Sequence, residues 1–286
     1  MGMSRRSFLA AGAGTAFLAA CGGGGSKSGS GNTDPDGATA LAARYEDGYF
    51  VPGAQRVAVS LGNKDGFMSE GVPRSLDAQV LDDKGAVVVA STKADSHAAG
   101  TPLPYFPFAL SIAAPGVYTL SAKVGGRDLT SSFSVLEPSA VKIPKPGDKL
   151  PPFDSPTTAD GRGVNPICTH QPPCPLHDMT LTQALQTGTP VAYLIGTPAF
   201  CQTGVCAPIL DNLIAAHGRL GTKITMVHAE VYTDNTATTV TPAVEAYNMS
   251  FEPCLWVADA SGTVVERLDF VFDQGEIDAA LAKVAS

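Results

Sequence analysis

Basic residues and long apolar runs are both scarce in this sequence. Charged residues make up 16% of the 286 residues, and the formal net charge is -8. No basic surface is therefore available to neutralise phosphates, which argues against a nucleic-acid partner. The longest apolar run, Phe8 to Ala20, is short for a membrane span. The composition thus argues against both nucleic-acid binding and a transmembrane helix.

The first 21 residues carry two motifs of a targeting segment. Ser4-Arg5-Arg6-Ser7-Phe8-Leu9 precedes an uncharged apolar stretch that ends at Leu18-Ala19-Ala20-Cys21. The first motif resembles the twin-arginine export signal, and the second resembles a bacterial lipobox. The resemblance implies cleavage before Cys21, lipid on its thiol and on the new amino terminus, and a lipid-anchored protein on the extracytoplasmic face of the cell membrane. A plain signal peptide with a chance cysteine is the alternative.

Changes in composition divide the rest of the chain into segments. Residues 21–44 are rich in Gly and Ser, which predicts a flexible tether. Residues 45–137 contain short apolar or alternating runs between turn residues, which predicts an antiparallel β-sandwich, immunoglobulin-like in the broad sense. The Cys…Trp…Cys pattern of antibody domains does not occur there, so the exact topology is open. Residues 138–165 form a proline-rich linker that precedes an α/β domain at 166–286.

The α/β domain is predicted from alternating strand and helix patterns. Val191 to Ile195 is an apolar strand, and a helical pattern follows the cysteines from Pro208 to His217. The segment His217-Gly218-Arg219-Leu220-Gly221 is expected to end that helix, with glycine as its C-terminal stop. The remaining predicted elements are strand Ile224–Val231, helix Thr241–Tyr247, strands Leu255–Ala258 and Val264–Leu268, and helix Gly275–Val284. The predicted order from Val191 onward is β-α-β-α-β-β-α.

The segment from Phe200 to Asp211 contains Cys201 and Cys206 at C-x4-C spacing, and Glu252-Pro253 lies later in the chain. Together with the strand–cysteine–helix order, these residues resemble thioredoxin-like proteins of the redoxin superfamily, especially membrane-anchored reductases. The resemblance spans about residues 146 to 286, with an extended arm leading into the fold from residue 146. It implies a thioredoxin-like fold and a cis-proline at Pro253 beside the redox cysteines.

The C-x4-C spacing differs from the C-x-x-C of that family. Residues five apart in a helix have Cα atoms about 8.6 Å apart, which is beyond disulfide range. With the helix starting near Cys201, oxidation is expected to need a non-helical or unwound first turn, which Gly204 and Pro208 favour. Amide groups at the helix start would favour the thiolate of Cys201, so Cys201 is the expected nucleophile and Cys206 the resolving thiol.

The predicted function is thiol–disulfide exchange with exported thiol or disulfide proteins, without a cofactor. One alternative is a thiol peroxidase of the peroxiredoxin type, in which C-x4-C pairs also occur. The peroxiredoxin pattern P-x3-T-x2-C, however, would need Pro and Thr where this chain has Leu194 and Pro198. The other alternative is a non-catalytic binding or metal-handling lipoprotein with a disulfide-stapled thioredoxin fold. The sequence does not indicate the oligomeric state.

A second pair of cysteines, Cys168 and Cys174, occurs near His170 and His177. A structural disulfide between the two cysteines is the simplest interpretation outside the cytoplasm. A copper or zinc site built from these thiolates and imidazoles is a weaker candidate. The remaining alternative is a second redox pair that relays electrons to the C-x4-C pair.

Five cysteines remain after Cys21, so at least one thiol has no intramolecular partner. Cys254 follows Pro253 directly and is expected to be a buried thiol, with a functional third thiol as the alternative. His228 and Glu230 alternate on a predicted strand. They are expected to be solvated, and proton acceptance by either is the alternative.

Overall fold

The computed structural model describes residues 37–285. The predicted export signal, the lipidation of Cys21 and most of the predicted tether lie outside the described residues. Between residues 37 and 285, no helix has the length and apolar character needed to cross a membrane.

The first half of the described chain is built from β-strands in two four-stranded antiparallel sheets. One sheet contains β1, β2, β3 and β6, with β2 pairing with the other three. The other has the order β5-β4-β7-β8. The strands are β1 (Ala40–Ala43), β2 (Gly53–Asn63), β3 (Gly66–Phe67), β4 (Ser75–Leu81), β5 (Val87–Asp95), β6 (Phe106–Ile112), β7 (Gly116–Val124) and β8 (Arg127–Val135).

Alternating side chains of both sheets share one apolar core. Val57 and Phe108 from the first sheet and Leu120 and Phe133 from the second are almost fully buried in it. Because side chains alternate across a strand, each sheet turns one face to this core. The other face of the second sheet meets solvent, whereas that of the first sheet packs against the second half of the molecule, through Ala58 among others. This is the layered arrangement predicted for residues 45–137, and its immunoglobulin-like class stays a prediction. Strand β1 lies inside the predicted tether, so the paired structure begins before residue 45.

The second half contains a mixed four-stranded sheet flanked by helices. The sheet order is β10-β9-β11-β12, with β9 and β10 parallel and the other pairs antiparallel. Its element order from β9 is the predicted β-α-β-α-β-β-α. The elements are α1 (Leu181–Gln186), β9 (Val191–Ile195), α2 (Cys206–Leu220), a 3-10 turn (Gly221–Lys223), β10 (Thr225–Ala229), α3 (Pro242–Ala246), β11 (Cys254–Ala258), β12 (Val264–Asp269) and α4 (Gln274–Ala282).

The mixed sheet is buried on both faces, and its side chains alternate between two cores. Leu194 and Leu255 point to the core that contains Ile209 of α2 and Ile277 of α4. The neighbouring residues along these strands, Tyr193, Ile195 and Trp256, belong instead to a second core with α1 and α3. The period-2 alternation therefore decides which side chains face the cysteine helix α2.

The proline-rich segment at residues 138–165 is packed against the sheet. Ile143 and Leu150 are buried, and the indole N–H of Trp256 donates to the Pro144 carbonyl at 2.9 Å. The Gly147 amide donates to the Val264 carbonyl at the edge strand β12, also at 2.9 Å. The residues after 143 are thus an arm held along the sheet, as the resemblance implied from residue 146.

A partly buried ion pair joins the two halves. The Arg56 guanidinium donates to both carboxylate oxygens of Glu276 at 2.6 and 2.7 Å and to the Val271 carbonyl at 2.6 Å. The Tyr105 hydroxyl donates to the same carboxylate. The His97 ring contacts the Asp273 carboxylate at 2.9 Å. The β-sheet half is therefore fixed to the start of α4.

The substitution Arg56→Met is expected to destabilise the protein by about 3 kcal/mol, because it leaves the Glu276 carboxylate without its cation. Urea unfolding followed through the fluorescence of Trp256, the single tryptophan, measures this. Lys64→Ala is the control, because the Lys64–Asp65 pair is exposed and should contribute less than about 1 kcal/mol. Equal effects of the two substitutions would contradict the structural importance of the Arg56 pair.

Candidate functional site

Cys201 and Cys206 lie close together at the start of helix α2. The helix begins at Cys206, and the residues before it form turns in which Gly204 has a φ of 69°. The two sulfurs and a carboxylate oxygen of Glu252 lie within 4.8 Å of one another. The segment around Cys201 is thus non-helical, which is one of the two conditions expected for oxidation, and unwinding is not needed because Cys201 precedes the helix. The two cysteines can approach without unwinding it.

The environment of Cys201 favours its thiolate. The thiol of Cys206 is the main hydrogen-bond donor to the Cys201 sulfur, and the Thr203 hydroxyl and the amides of Val205 and Cys206 add to it. These donors outweigh the opposing effect of burial and lower the pKa of Cys201 to about 5. Cys201 is partly exposed, so the thiolate is accessible. An accessible thiolate at neutral pH is the nucleophilic form of cysteine.

Cys206 has the opposite character. Its side chain is buried, and burial together with the neighbouring Cys201 sulfur raises its pKa well above the usual range. The Oε2 of Glu252 lies 3.8 Å from the Cys206 sulfur and accepts from the Thr197 amide at 3.2 Å. Burial, and then the charge of Cys201, raise the pKa of the Glu252 carboxyl well above its usual range. A carboxyl with a raised pKa is suited to exchange a proton with the buried thiol.

The backbone beside this pair is tightly packed at Gly196, directly after β9. A Cβ built on Gly196 would lie 3.3 Å from the Pro253 Cβ and 3.7 Å from the Cys206 sulfur. The Glu252–Pro253 peptide bond is cis, as the resemblance implied for this position. Pro253 and Cys206 therefore both lie close to Gly196, and the functional role of Pro253 stays a prediction.

Cys254 faces away from the pair. Its thiol donates to the Asp269 carboxylate at 3.2 Å within the core that contains Tyr193 and Trp256. This is the buried environment that was expected for Cys254. A role as a functional third thiol is not supported by this position, because the sheet separates Cys254 from Cys201.

A cavity of about 140 Å³ opens beside Cys201. Its walls combine aromatic side chains with a few polar groups and come from both halves of the molecule. They include Cys201, Thr203, Tyr232, Phe251, Glu252 and Phe270 from the second half, and Glu46 from the segment before β2. A partly apolar recess beside a thiolate can hold a side chain of a larger partner.

A second cluster contains Cys168, Cys174, His177 and His228. Their sulfur and nitrogen atoms lie within 4.8 Å of one another, and all four residues are buried. Hydrogen bonds from the Cys174 thiol, and then from the two imidazoles, lower the pKa of Cys168. The hydrogen bond with Cys168 in turn raises the pKa of Cys174. The five described cysteines are free thiols in this structure, and the Cys168–Cys174 disulfide stays a prediction.

His170, a candidate ligand in the sequence, lies outside this cluster. Its Nε2 contacts the Asp211 carboxylate at 2.8 Å, and its Nδ1 contacts the Pro172 carbonyl at 2.6 Å. Both ring nitrogens are therefore already used. The position that His170 was expected to fill is taken by His228, which was expected to be solvated but is fully buried.

Glu230 connects the loop of the second cluster with the segment that precedes Cys201. Its Oε1 accepts from the amide and hydroxyl of Thr169 at 2.6 and 2.9 Å, and the same hydroxyl accepts from the Ala199 amide at 3.1 Å. The expectation that Glu230 is solvated was wrong, because it is almost fully buried.

Sequence reasoning missed the roles of Glu252 and His228. The sequence motif Glu252-Pro253 drew attention to the proline alone. Because the expected cis-proline lies beside the redox cysteines, the residue before it must lie near them too, and this was the available signal for Glu252. His228 shares the strand alternation with Met226, which faces the core of α2. That alternation was the available signal for a buried histidine.

No protein-family model matches this chain, and no curated protein matches it. Among solved structures, one similar protein is from Chlorobium tepidum and is assigned as thiol:disulfide interchange protein DsbE. The match covers 50% of this chain and 99% of the Chlorobium tepidum chain, with 14% identity and a TM-score of 0.34. The BSP domain of a biofilm associated protein matches 36% of this chain over 15% of its own, with 20% identity and a TM-score of 0.23. Likenesses this weak do not support a functional argument.

The lowered pKa of Cys201 predicts a distinct pH dependence of alkylation. Iodoacetamide should modify Cys201 at a rate that is constant above about pH 6, because the thiolate form dominates there, and that falls as pH decreases through about 5. Peptide mass spectrometry after timed quenching measures this rate. In Cys206→Ala, which lacks the main hydrogen-bond donor, the midpoint should move to higher pH. A midpoint near 8.5 in the unaltered protein would contradict the assignment.

Proposed function

We propose that this protein is a thiol–disulfide oxidoreductase, with Cys201 as the nucleophile and Cys206 as the resolving thiol. The observation that carries the proposal is the asymmetry of the pair. One thiol is accessible with a lowered pKa, and its neighbour is buried with a raised pKa. We further propose that residues 166–286 form a thioredoxin-like domain, since the strand–cysteine–helix order and the cis Pro253 both support this class.

The first step is attack on a disulfide of a partner. The Cys201 thiolate attacks one sulfur of the partner disulfide, the S–S bond breaks, and the other partner sulfur leaves as a thiolate. The product is a mixed disulfide between Cys201 and the partner. The cavity beside Cys201 supports this step, because Phe251 and Phe270 provide apolar contacts for a segment of the partner.

In the second step Cys206 resolves the mixed disulfide. Cys206 must lose its proton, and we assign the carboxylate of Glu252, whose Oε2 lies 3.8 Å from the sulfur, as the acceptor. Burial, and then the negative charge of Cys201, disfavour ionisation of Glu252. Formation of the mixed disulfide removes that charge, so Glu252 releases its proton to solvent more readily and can then accept one from Cys206. The Cys206 thiolate then attacks Cys201, and the partner leaves reduced. Run in reverse, the same steps oxidise a partner.

We propose exported proteins with exposed thiols or disulfides as the partners. An exported, lipid-anchored location for this protein follows from the twin-arginine and lipobox resemblance around Cys21. The position of Glu46 in the cavity wall supports a role for the β-sheet half in partner contact.

Replacement of the resolving thiol should trap partners. With Cys206→Ser, mixed disulfides through Cys201 should accumulate and appear as reductant-sensitive bands on non-reducing gels. Cys254→Ser is the matched control, because its thiol is buried on the other side of the sheet, and it should trap nothing. If Cys206→Ser traps no partner, and if the Cys201–Cys206 disulfide of the unaltered protein resists mild reductant, the pair is a structural disulfide. Peroxide turnover with a thiol donor would instead support the peroxiredoxin alternative.

Replacement of the buried carboxyl should slow only the second step. Glu252→Gln keeps the shape of the side chain and removes its proton-accepting role, so resolution of a preformed mixed disulfide should slow about 100-fold. Attack of Cys201 on a small aromatic disulfide should change less than about 3-fold. Stopped-flow release of the thiol measures both steps. Glu245→Gln on the exposed face of α3 is the control. Equal slowing of both steps would refute the role of Glu252 as the base.

A further inference from the structure

We propose that Cys168, Cys174, His177 and His228 bind one zinc ion in a closed structural site. The thiolates and imidazoles form a Cys₂His₂ set, and all four side chains are buried in the core beside α2. Two thiolates neutralise the charge of Zn²⁺, so the loaded site buries no net charge. The site is separate from the Cys201–Cys206 pair and does not depend on the function proposed for it.

The distances within the cluster match the edges of a zinc tetrahedron. With Zn–S near 2.3 Å and Zn–N near 2.0 Å, such a site has S···N edges of about 3.5 Å and an N···N edge of about 3.3 Å. The Nδ1 of His228 lies 3.6 Å from the Cys174 sulfur and 3.9 Å from the Cys168 sulfur. It lies 3.2 Å from the Nε2 of His177. These three distances agree with the edges of the tetrahedron within about 0.4 Å.

The tautomer of His228 is set for metal binding. Its Nε2 lies 3.0 Å from the Gly196 carbonyl, which can only accept, so the proton of a neutral ring is on Nε2. The Nδ1 lone pair therefore points at the two sulfurs and at His177. A ligating histidine that donates its other N–H to a backbone carbonyl is the usual arrangement in metal sites.

Hydrogen bonding alone leaves the cluster incompletely satisfied. Three groups converge on the Nδ1 of His228, which has one lone pair. Buried polar groups normally have partners, so this convergence calls for an explanation. A cation at the centre of the four atoms uses all the converging lone pairs.

Four protein ligands and complete burial indicate a structural role for the metal. Catalytic zinc sites keep one coordination position open, whereas structural sites are closed by four side chains. The ion would tie the loop that contains Cys168 and Cys174 to β10. Thr169 of that loop contacts the Ala199 amide, so the metal would also fix the segment that leads to Cys201.

Metal analysis of the full chain purified without chelator tests the proposal. We expect one zinc per chain, with two sulfur and two nitrogen neighbours in X-ray absorption spectra. Cys168→Ser and His177→Gln should each lose the zinc. His170→Gln and Cys254→Ser should retain it, since neither side chain belongs to the cluster. The double variant Cys201→Ser with Cys206→Ser should also retain it, which separates this test from failure of the proposed redox function.

A second measurement guards against variants that do not fold. The unaltered chain, stripped with chelator under mild denaturant and returned to buffer, should take up one equivalent of added Zn²⁺ and regain its original melting temperature. Three outcomes would overturn the proposal: a chain that neither contains zinc nor takes it up, copper in place of zinc in the same four ligands, or a Cys168–Cys174 disulfide in the purified protein.

Discussion

The close approach of the backbone at Gly196 holds both thiol clusters in place. On one side, a Cβ at this position would lie 3.3 Å from the Pro253 Cβ and 3.7 Å from the Cys206 sulfur, so both residues pack close to the glycine. On the other side, its carbonyl fixes the ring of His228. A side chain here would press on Pro253, which would have to move by a few tenths of an ångström. The arrangement of two chemically different cysteine pairs around one strand end therefore depends on a residue that has no side chain.

The two pairs differ because of their surroundings. Cys201 precedes a helix and meets the amides of Val205 and Cys206, so its environment supplies hydrogen-bond donors and an opening to solvent. The sulfurs of Cys168 and Cys174 meet imidazole nitrogens in a sealed apolar core. Hydrogen-bond donors and solvent access favour nucleophilic attack by a thiolate. Buried sulfur and imidazole lone pairs that converge on one point favour a bound cation instead. One chain can thus use the same side chain for exchange and for anchoring.

The sequence predicted the local pattern better than the contacts across the fold. The β9 strand has its predicted bounds because Val191 to Ile195 is a continuous apolar run, and Gly221 ends α2 because its positive φ suits glycine. The start of α2 was misplaced, since turn geometry around Gly204 decides it. The burial of His228 and the contact of Glu252 with Cys206 depend on pairing between distant strands, which one sequence does not show.

The mixed sheet separates the thiols into two compartments. Cys254 lies on the face with Tyr193 and Trp256, and the other described cysteines lie across the sheet or at its edge. A disulfide between Cys254 and either pair would require the sheet to open. In an oxidising environment, the danger of wrong pairing is therefore limited to the time before β9, β10 and β11 assemble. The folded sheet protects the odd thiol without needing a partner for it.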